Sequence, residues 1–125
     1  MPHARILVIE DNPDNLQLVR FLLEQAGHQV MGAMDGRQGG DLARAVQPDL
    51  VLIDLTIPSI DGWTLARQLK DDPATAHIPL LALTAHTLPG DRKKAMDAGC
   101  DGYISKPLDI AAFVGTVESH LNRKA

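Results

Sequence analysis

Cysteine is almost absent from this chain, which has a single such residue, Cys100, among its 125 residues. One cysteine cannot form a disulfide within the chain, so disulfide-stabilised scaffolds are excluded and the fold must depend on its core. Cys100 follows Ala98 and Gly99 in a stretch of small residues. We expect it to fill a small buried space rather than to take part in redox chemistry.

Long apolar runs and an excess of basic residues are missing too. No apolar run approaches the roughly 20 residues that cross a bilayer, and the N-terminus lacks a secretory signal pattern. We therefore expect a cytoplasmic protein that does not insert into membranes. The chain has 12 Lys and Arg residues against 16 Asp and Glu residues, a net charge of −4. This balance gives no indication of a nucleic-acid partner.

What the chain does contain is four apolar, strand-like runs, each followed by polar residues. These runs end at Glu10-Asp11, at Asp54, at Thr84 and at Lys106. Parallel strands that are buried on both faces appear as continuous apolar runs. Ligands of open α/β sheets bind just beyond the carboxyl ends of such strands. We therefore expect these polar side chains to meet in one crevice.

Strand and helix signals alternate along the whole chain, which is long enough for one domain over residues 1–125. Two of the predicted helices are each followed by a glycine that favours a helix end; these glycines are Gly27 and Gly99. The pattern predicts a doubly wound parallel sheet of five strands with five helices. The predicted strands are 5–9, 29–33, 50–53, 80–83 and 102–105; the predicted helices are 13–26, 37–46, 63–70, 91–98 and a last one with Ile110, Phe113, Val114, Val117 and Leu121 on one stripe.

The three carboxylates of the predicted crevice indicate a metal site. Two carboxylates about 5 Å apart repel by roughly 3 kcal/mol at an effective dielectric constant of about 20, so a cluster of three requires a cation. Mg²⁺ suits it, because this ion accepts carboxylate oxygens, keeps waters and bridges to phosphate. Taken alone, Glu10 and Asp11 could equally be acids that cap the helix beginning near Asn12 and Pro13.

Asp54 is the candidate nucleophile, because a carboxylate can attack phosphorus and carry an acyl phosphate. The charge of the transferring group must then be neutralised by fixed donors. The Lys106 ammonium and the Thr84 hydroxyl are suited to this role together with Mg²⁺. The alternatives are a loop-capping aspartate, an ordinary threonine at a strand end and a solvent-facing lysine.

In these residues the chain resembles the receiver domain of two-component response regulators, over nearly its whole length. The family pattern is matched by the following residues: Glu10-Asp11 after strand one, Asp54 after strand three, Pro58 and Asp61-Gly62 in the next loop, Thr84 after strand four, Tyr103, and Lys106-Pro107 after strand five. The resemblance implies a flavodoxin-like sheet of strand order 2-1-3-4-5. The chain looks like a stand-alone receiver of the cell-cycle or chemotaxis kind.

The resemblance also implies how the residues act. A histidine kinase or histidine phosphotransfer protein would donate a phosphoryl group to Asp54, and the backbone carbonyl of Thr56 would join the Mg²⁺ ligands. Thr84, Lys106 and Tyr103 would form the switch, with Pro107 aiming the lysine inward through a cis bond. The protein would catalyse only its own phosphorylation and dephosphorylation, and a downstream protein would read the changed surface.

Two other functions remain open. One is a degenerate receiver that acts as a phosphorylation-independent binding module. The other is a Mg²⁺-dependent phosphohydrolase of the haloacid-dehalogenase kind, which also forms an aspartyl phosphate. Such enzymes need a second aspartate two residues past the nucleophile, and that position is Thr56 here. A chain that is not phosphorylated by a small acyl phosphate donor would have the first function. A chain that turns over p-nitrophenyl phosphate would have the second.

Two helices have unusual apolar patterns. The first is more apolar than one buried face requires, since Leu18 and Leu22 form a second stripe. Either a wide face is buried, or Asn15 and Leu18 dock against a partner helix, as the resemblance implies for the phosphohistidine donor. Helix 91–98 has only Ala95, Met96 and Ala98 to anchor it, and weakly anchored elements are those that shift in switches.

Overall fold

A computed structural model describes residues 4–54, 62–84, 93, 96–97, 99–105 and 109–122. Of Gly62, Trp63, Thr84, Ser105 and Asn122 it describes the backbone. The strands are β1 (Arg5–Ile9), β2 (Gln29–Ala33), β3 (Leu50–Asp54), β4 (Leu80–Thr84) and β5 (Gly102–Ser105). The helices with complete bounds are α1 (Pro13–Gln25), α2 (Gly36–Val46), α3 (Gly62–Asp71) and α4 (Ile110–Asn122).

The five strands form one parallel sheet in the order β2-β1-β3-β4-β5, as predicted. Its register aligns the strand ends: Ile9 of β1 lies beside Ile53 of β3, and Asp54 lies beside Leu83 of β4. Thr84 in turn lies beside Ser105 of β5. The residues that close the strands therefore share one edge of the sheet.

The sheet is covered on both faces, because successive side chains of a strand point to opposite sides. One cluster packs under α2 and α3, and its strand members include Leu7, Ile9, Val51 and Ile53. The other packs under α1 and α4 and includes Ile6, Val8, Leu50 and Leu52. Both sets are buried, which explains why these strands appear in the sequence as unbroken apolar runs.

The helix ends follow from local chemistry. Asn12 is the N-cap of α1, with Pro13 in the first turn, and Gly27 follows the helix at φ 95°. Asp35 caps α2, where its side chain accepts a hydrogen bond from the Gln38 amide. Gly99 has φ 101°, the left-handed conformation expected of a glycine that ends a helix.

Two apolar residues are more exposed than the sequence pattern predicts. Ile110, placed on the buried stripe of the last helix, is 57% exposed, whereas Phe113 and Val117 of the same stripe are buried. Met96, predicted to anchor helix 91–98, is 46% exposed. Of that helix the structure describes Lys93, Met96 and Asp97, which are helical. Ala95 and Ala98 lie outside the described residues.

Side chains tie the elements together at the amino end of the sheet. His28 is buried, accepts a hydrogen bond from the Ala4 amide through Nδ1 (3.1 Å) and contacts Glu118 of α4 through Nε2 (2.9 Å). The bond from the Ala4 amide requires an Nδ1 without a proton, so Nε2 carries the ring proton and donates a hydrogen bond to Glu118.

A second contact at this end of the sheet is the ion pair between Lys70 of α3 and Asp101, which precedes β5, at 2.8 Å. Cys100 is 4% exposed beside this pair, which confirms its predicted place in the core.

Two helical glycines differ in what surrounds them. A Cβ on Gly39 of α2 would lie 2.4 Å from Ile9 Cδ1, whereas one on Gly115 of α4 would meet nothing within 4 Å. Gly115→Ala should raise the free energy of unfolding by about 0.5–1 kcal/mol, because alanine favours a helix. Gly39→Ala should lower it by about 1–2 kcal/mol, since crowding of the core exceeds that gain. Urea unfolding of both variants measures these changes. If both substitutions changed the free energy of unfolding in the same direction, the close packing of α2 on β1 would be contradicted.

No helix among the described residues is both long and apolar enough to cross a membrane.

Candidate functional site

The carboxyl edge of the sheet brings the predicted acidic residues together. Glu10 and Asp11 follow β1, and Asp54 closes the neighbouring strand β3. Since Ile9 and Ile53 are register partners, the next residue along each strand, Glu10 and Asp54, falls at the same level. The strand register therefore places Glu10 and Asp54 side by side at this edge, as the sequence predicts.

The three carboxylates form a compact cluster. One oxygen each from Glu10, Asp11 and Asp54 can be chosen so that all lie within 4.8 Å of one another. Glu10 is 1% and Asp54 2% exposed, whereas Asp11 is exposed. Burial removes the water that would otherwise screen the negative charges, and it makes the cluster costly without a cation.

The chain holds Glu10 from two sides. Its backbone amide donates to the Ala33 carbonyl at the end of β2 (2.9 Å). Its Oε2 accepts a hydrogen bond from the Asn12 amide at the start of α1 (3.3 Å). Sequence reasoning placed Glu10 at this edge but did not identify the Asn12 contact, which joins the acidic cluster to α1.

The donor set fits Mg²⁺. Three carboxylates offer hard oxygen ligands, and the open side at Asp11 leaves room for the waters that this ion retains. The spacing also suits one small cation shared by the three groups, since ligand oxygens around a centre at 2.0–2.1 Å lie about 3–4 Å apart. The described side chains thus offer three oxygen atoms that could serve as ligands.

Two of the predicted switch residues, Thr84 and Tyr103, lie on the two strands beyond Asp54. Thr84 closes β4 one position past Leu83, the register partner of Asp54, and its side chain is outside the described residues. Tyr103 of β5 is half-buried, lies beside Ala82 and packs against the cluster under α2 and α3. Other predicted residues lie outside the described part of the chain: Thr56, Pro58, Asp61, Lys106 and Pro107.

The surface of α1 near the cluster is partly apolar. Val19 and Leu23 are buried under the helix, Leu16 and Leu22 are half-buried, and Leu18 is 36% exposed. The wide-face explanation therefore holds for Leu22 more than for Leu18. Phe21, which sequence analysis did not single out, is 58% exposed one turn after Leu18. Its helical spacing of three from Leu18 was the available signal.

A family profile matches most of the chain. Residues 6–118 match the family described as "Response regulator receiver domain". A curated relative from Brucella anthropi, named "Polar-differentiation response regulator DivK", is 38% identical over 121 residues. That alignment covers 97% of this chain and 98% of the relative. The proteins of the same name from Brucella ovis and Brucella abortus are also 38% identical, over 116 residues.

Solved structures share the fold. The receiver domain of the sensor histidine kinase PA1611 from Pseudomonas aeruginosa has a TM-score of 0.89 and 30% identity, with 97% of this chain and 99% of that chain covered. That structure has a magnesium ion coordinated in its active site cleft. A receiver domain of a histidine kinase from Syntrophus aciditrophicus has a TM-score of 0.88 and 30% identity, with 96% and 91% covered.

Proposed function

The chain belongs to the receiver domain family of response regulators, and we propose that it is a phosphorylation-controlled switch in which Asp54 accepts a phosphoryl group from a phosphohistidine donor. The observation that carries this proposal is the cluster of Glu10, Asp11 and Asp54, whose ligand oxygens lie within 4.8 Å of one another. A buried carboxylate at the end of a parallel strand, beside two further acids that could hold a metal ion, is suited to phosphoryl transfer.

Mg²⁺ bound by Glu10, Asp11, Asp54 and the Thr56 carbonyl would supply positive charge to offset the phosphoryl oxygens. The burial of Asp54 restricts the directions from which a phosphoryl group can reach its carboxylate. The register partner of Asp54 is Leu83, and Thr84 follows it at the same edge of the sheet, where its hydroxyl would donate to a phosphoryl oxygen. Lys106 follows Ser105, the register partner of Thr84, and would contribute its ammonium from the next strand.

The donor would approach over α1. Asn15 is half-buried in the first turn, and Leu18 is exposed on the second. An apolar patch beside an acidic site fits the face of a helix that carries a phosphohistidine, because apolar contacts supply affinity and the charged centre directs the approach. We propose a cytoplasmic location and a histidine kinase or histidine phosphotransfer protein as this donor.

Phosphorylation by a small acyl phosphate in the presence of Mg²⁺ tests the function. Wild type should gain the mass of one phosphoryl group, and hydroxylamine should remove it, since an acyl phosphate is labile to this nucleophile. No gain of mass would indicate a binding module that works without phosphorylation. Steady turnover of p-nitrophenyl phosphate would instead indicate a phosphohydrolase.

The output should depend on Thr84. Phosphorylation can affect a distant surface only through an element with two arrangements that the modification stabilises to different extents. Thr84, Tyr103 and helix 91–98 are the candidates for this element. Thr84→Ala should still accept phosphate at Asp54, yet lose most of the difference in partner affinity between the phosphorylated and free protein. A downstream partner is first isolated by affinity capture on the phosphorylated wild type, and its affinity is then measured for both states of each protein. A variant that retains the full difference would refute the coupling through Thr84.

A further inference from the structure

We propose that Asn12 is a positioning residue for the metal-binding carboxylates, an inference that rests on the proposed function. Asn12 acts through Glu10, whose Oε2 accepts a hydrogen bond from the Asn12 backbone amide (3.3 Å).

The first turn of α1 is held by the Asn12 side chain. Its Oδ1 accepts hydrogen bonds from the amides of Asp14 (2.9 Å) and Asn15 (3.2 Å). Pro13 has no amide hydrogen, so the Asn12 amide is the remaining donor at this end, and it is directed to Glu10. The side chain of Asn12 thus holds its own backbone in place, and the amide of that backbone donates the hydrogen bond to Glu10.

This arrangement inverts a familiar cap. In a capping box, an acidic side chain at the third helical position accepts the amide of the N-cap residue. That position is Asn15 here, and the acceptor comes from upstream, from Glu10. One carboxylate therefore serves both the helix terminus and the acidic cluster, and the placement of α1 affects the placement of the carboxylate.

The backbone of Glu10 does not by itself determine the orientation of its carboxylate. The β2 strand fixes the backbone through the Ala33 carbonyl, but three side-chain torsions lie between that backbone and the carboxylate oxygens. The bond from the Asn12 amide restricts these torsions. Without the side-chain cap, the first turn of α1 frays and this restriction weakens.

Mg²⁺ affinity of the full chain, measured from amide chemical shifts during titration with MgCl₂, tests the role. Asn12→Ala should raise the Mg²⁺ Kd about three- to ten-fold, the effect of losing an N-cap. Asn12→Ser should restore the affinity to within about two-fold of wild type, because a serine hydroxyl accepts the same amides. Asp35→Ala removes the corresponding cap of α2, and it should leave the Kd within about two-fold, as expected for a carboxylate outside the cluster.

A double-mutant cycle separates this role from general loosening of the fold. In a Glu10→Ala background, Asn12→Ala should leave the already weakened Mg²⁺ affinity unchanged, since the carboxylate that it positions is gone. An unchanged Kd for Asn12→Ala, a Ser variant as weak as the Ala variant, an equal loss in Asp35→Ala, or an additive effect in the Glu10→Ala background would each overturn the proposal. Wild type that shows no Mg²⁺-dependent shifts would overturn the metal site itself, a result distinct from these four.

Discussion

Asp54→Asn should abolish phosphorylation of the protein by an acyl phosphate or a phosphohistidine donor. An amide oxygen is a far weaker nucleophile than a carboxylate, and Asp54 is the acid that closes the middle strand of the sheet, β3, whereas Glu10 and Asp11 follow β1. We expect incorporation to fall at least about 10³-fold, the loss that follows removal of a reacting group. Intact-mass analysis after incubation with the donor and MgCl₂ measures the modified fraction.

Asp109→Asn provides the matched control for this substitution. Asp109 is an exposed aspartate directly before α4, and its backbone carbonyl accepts bonds from the Ala112 and Phe113 amides. Asparagine serves equally well at a helix start, so this variant should be phosphorylated as wild type is. Phosphorylation of Asp54→Asn at the wild-type level would place the acceptor elsewhere and refute the proposed site.

Mg²⁺ should stabilise wild type and fail to stabilise Asp11→Ala. A ligand that binds only the folded state adds about 1.4 kcal/mol at ten times its Kd, which corresponds to a rise in Tm of about 5 °C for a domain of this size. Asp11→Ala removes one of three ligands, so most of this rise should disappear. Without Mg²⁺ the same variant should melt above wild type, because one source of repulsion within the acidic cluster is gone.

Asp14→Ala is the control for the metal-dependent shift. Asp14 is an exposed acid in the first turn of α1, close to the site in sequence but outside the acidic cluster. Its loss should lower Tm slightly, since an acid near a helix N-terminus is favourable, and should leave the rise caused by Mg²⁺ intact. Calorimetry with and without 10 mM MgCl₂, a concentration of roughly the size needed for a weak oxygen-ligand site, compares the variants. An equal rise in Asp11→Ala and wild type would exclude Asp11 as a ligand.

The sheet and the acidic cluster were predictable because burial on both faces leaves a simple pattern. Val51, Leu52 and Ile53 in succession are typical of a strand covered from both sides, and the first polar residue after such a strand is expected at the sheet edge. Strand order then brings Glu10 and Asp54 together. The helix ends were predictable for a similar local reason, since Asn12 and Gly27 favour conformations that start and stop helices.

Contacts between distant side chains were not predictable in this way. His28 and Glu118 are 90 residues apart, and no spacing rule joins a histidine after one helix to a glutamate inside another. Periodicity placed Ile110 on the same stripe of α4 as Phe113 and Val117. A periodic pattern predicts which face of a helix a residue lies on, but not how deeply its side chain is buried. Ile110 lies in the first turn, ahead of Phe113, and remains 57% exposed. The amide of Asn12 could be assigned to Glu10 only once the backbone path between β1 and α1 was known.

Cys100 has a practical consequence for measuring this protein. It is the only cysteine in the chain, and its burial, together with the nearby charge of Asp101, raises the pKa of its thiol to about 11, an effect that Lys70 partly offsets. Thiol reagents such as maleimides react with the thiolate, and at neutral pH this buried group supplies almost none. A cysteine introduced at an exposed position such as Gly115 would therefore take a fluorophore or spin label selectively, with the native cysteine left in place.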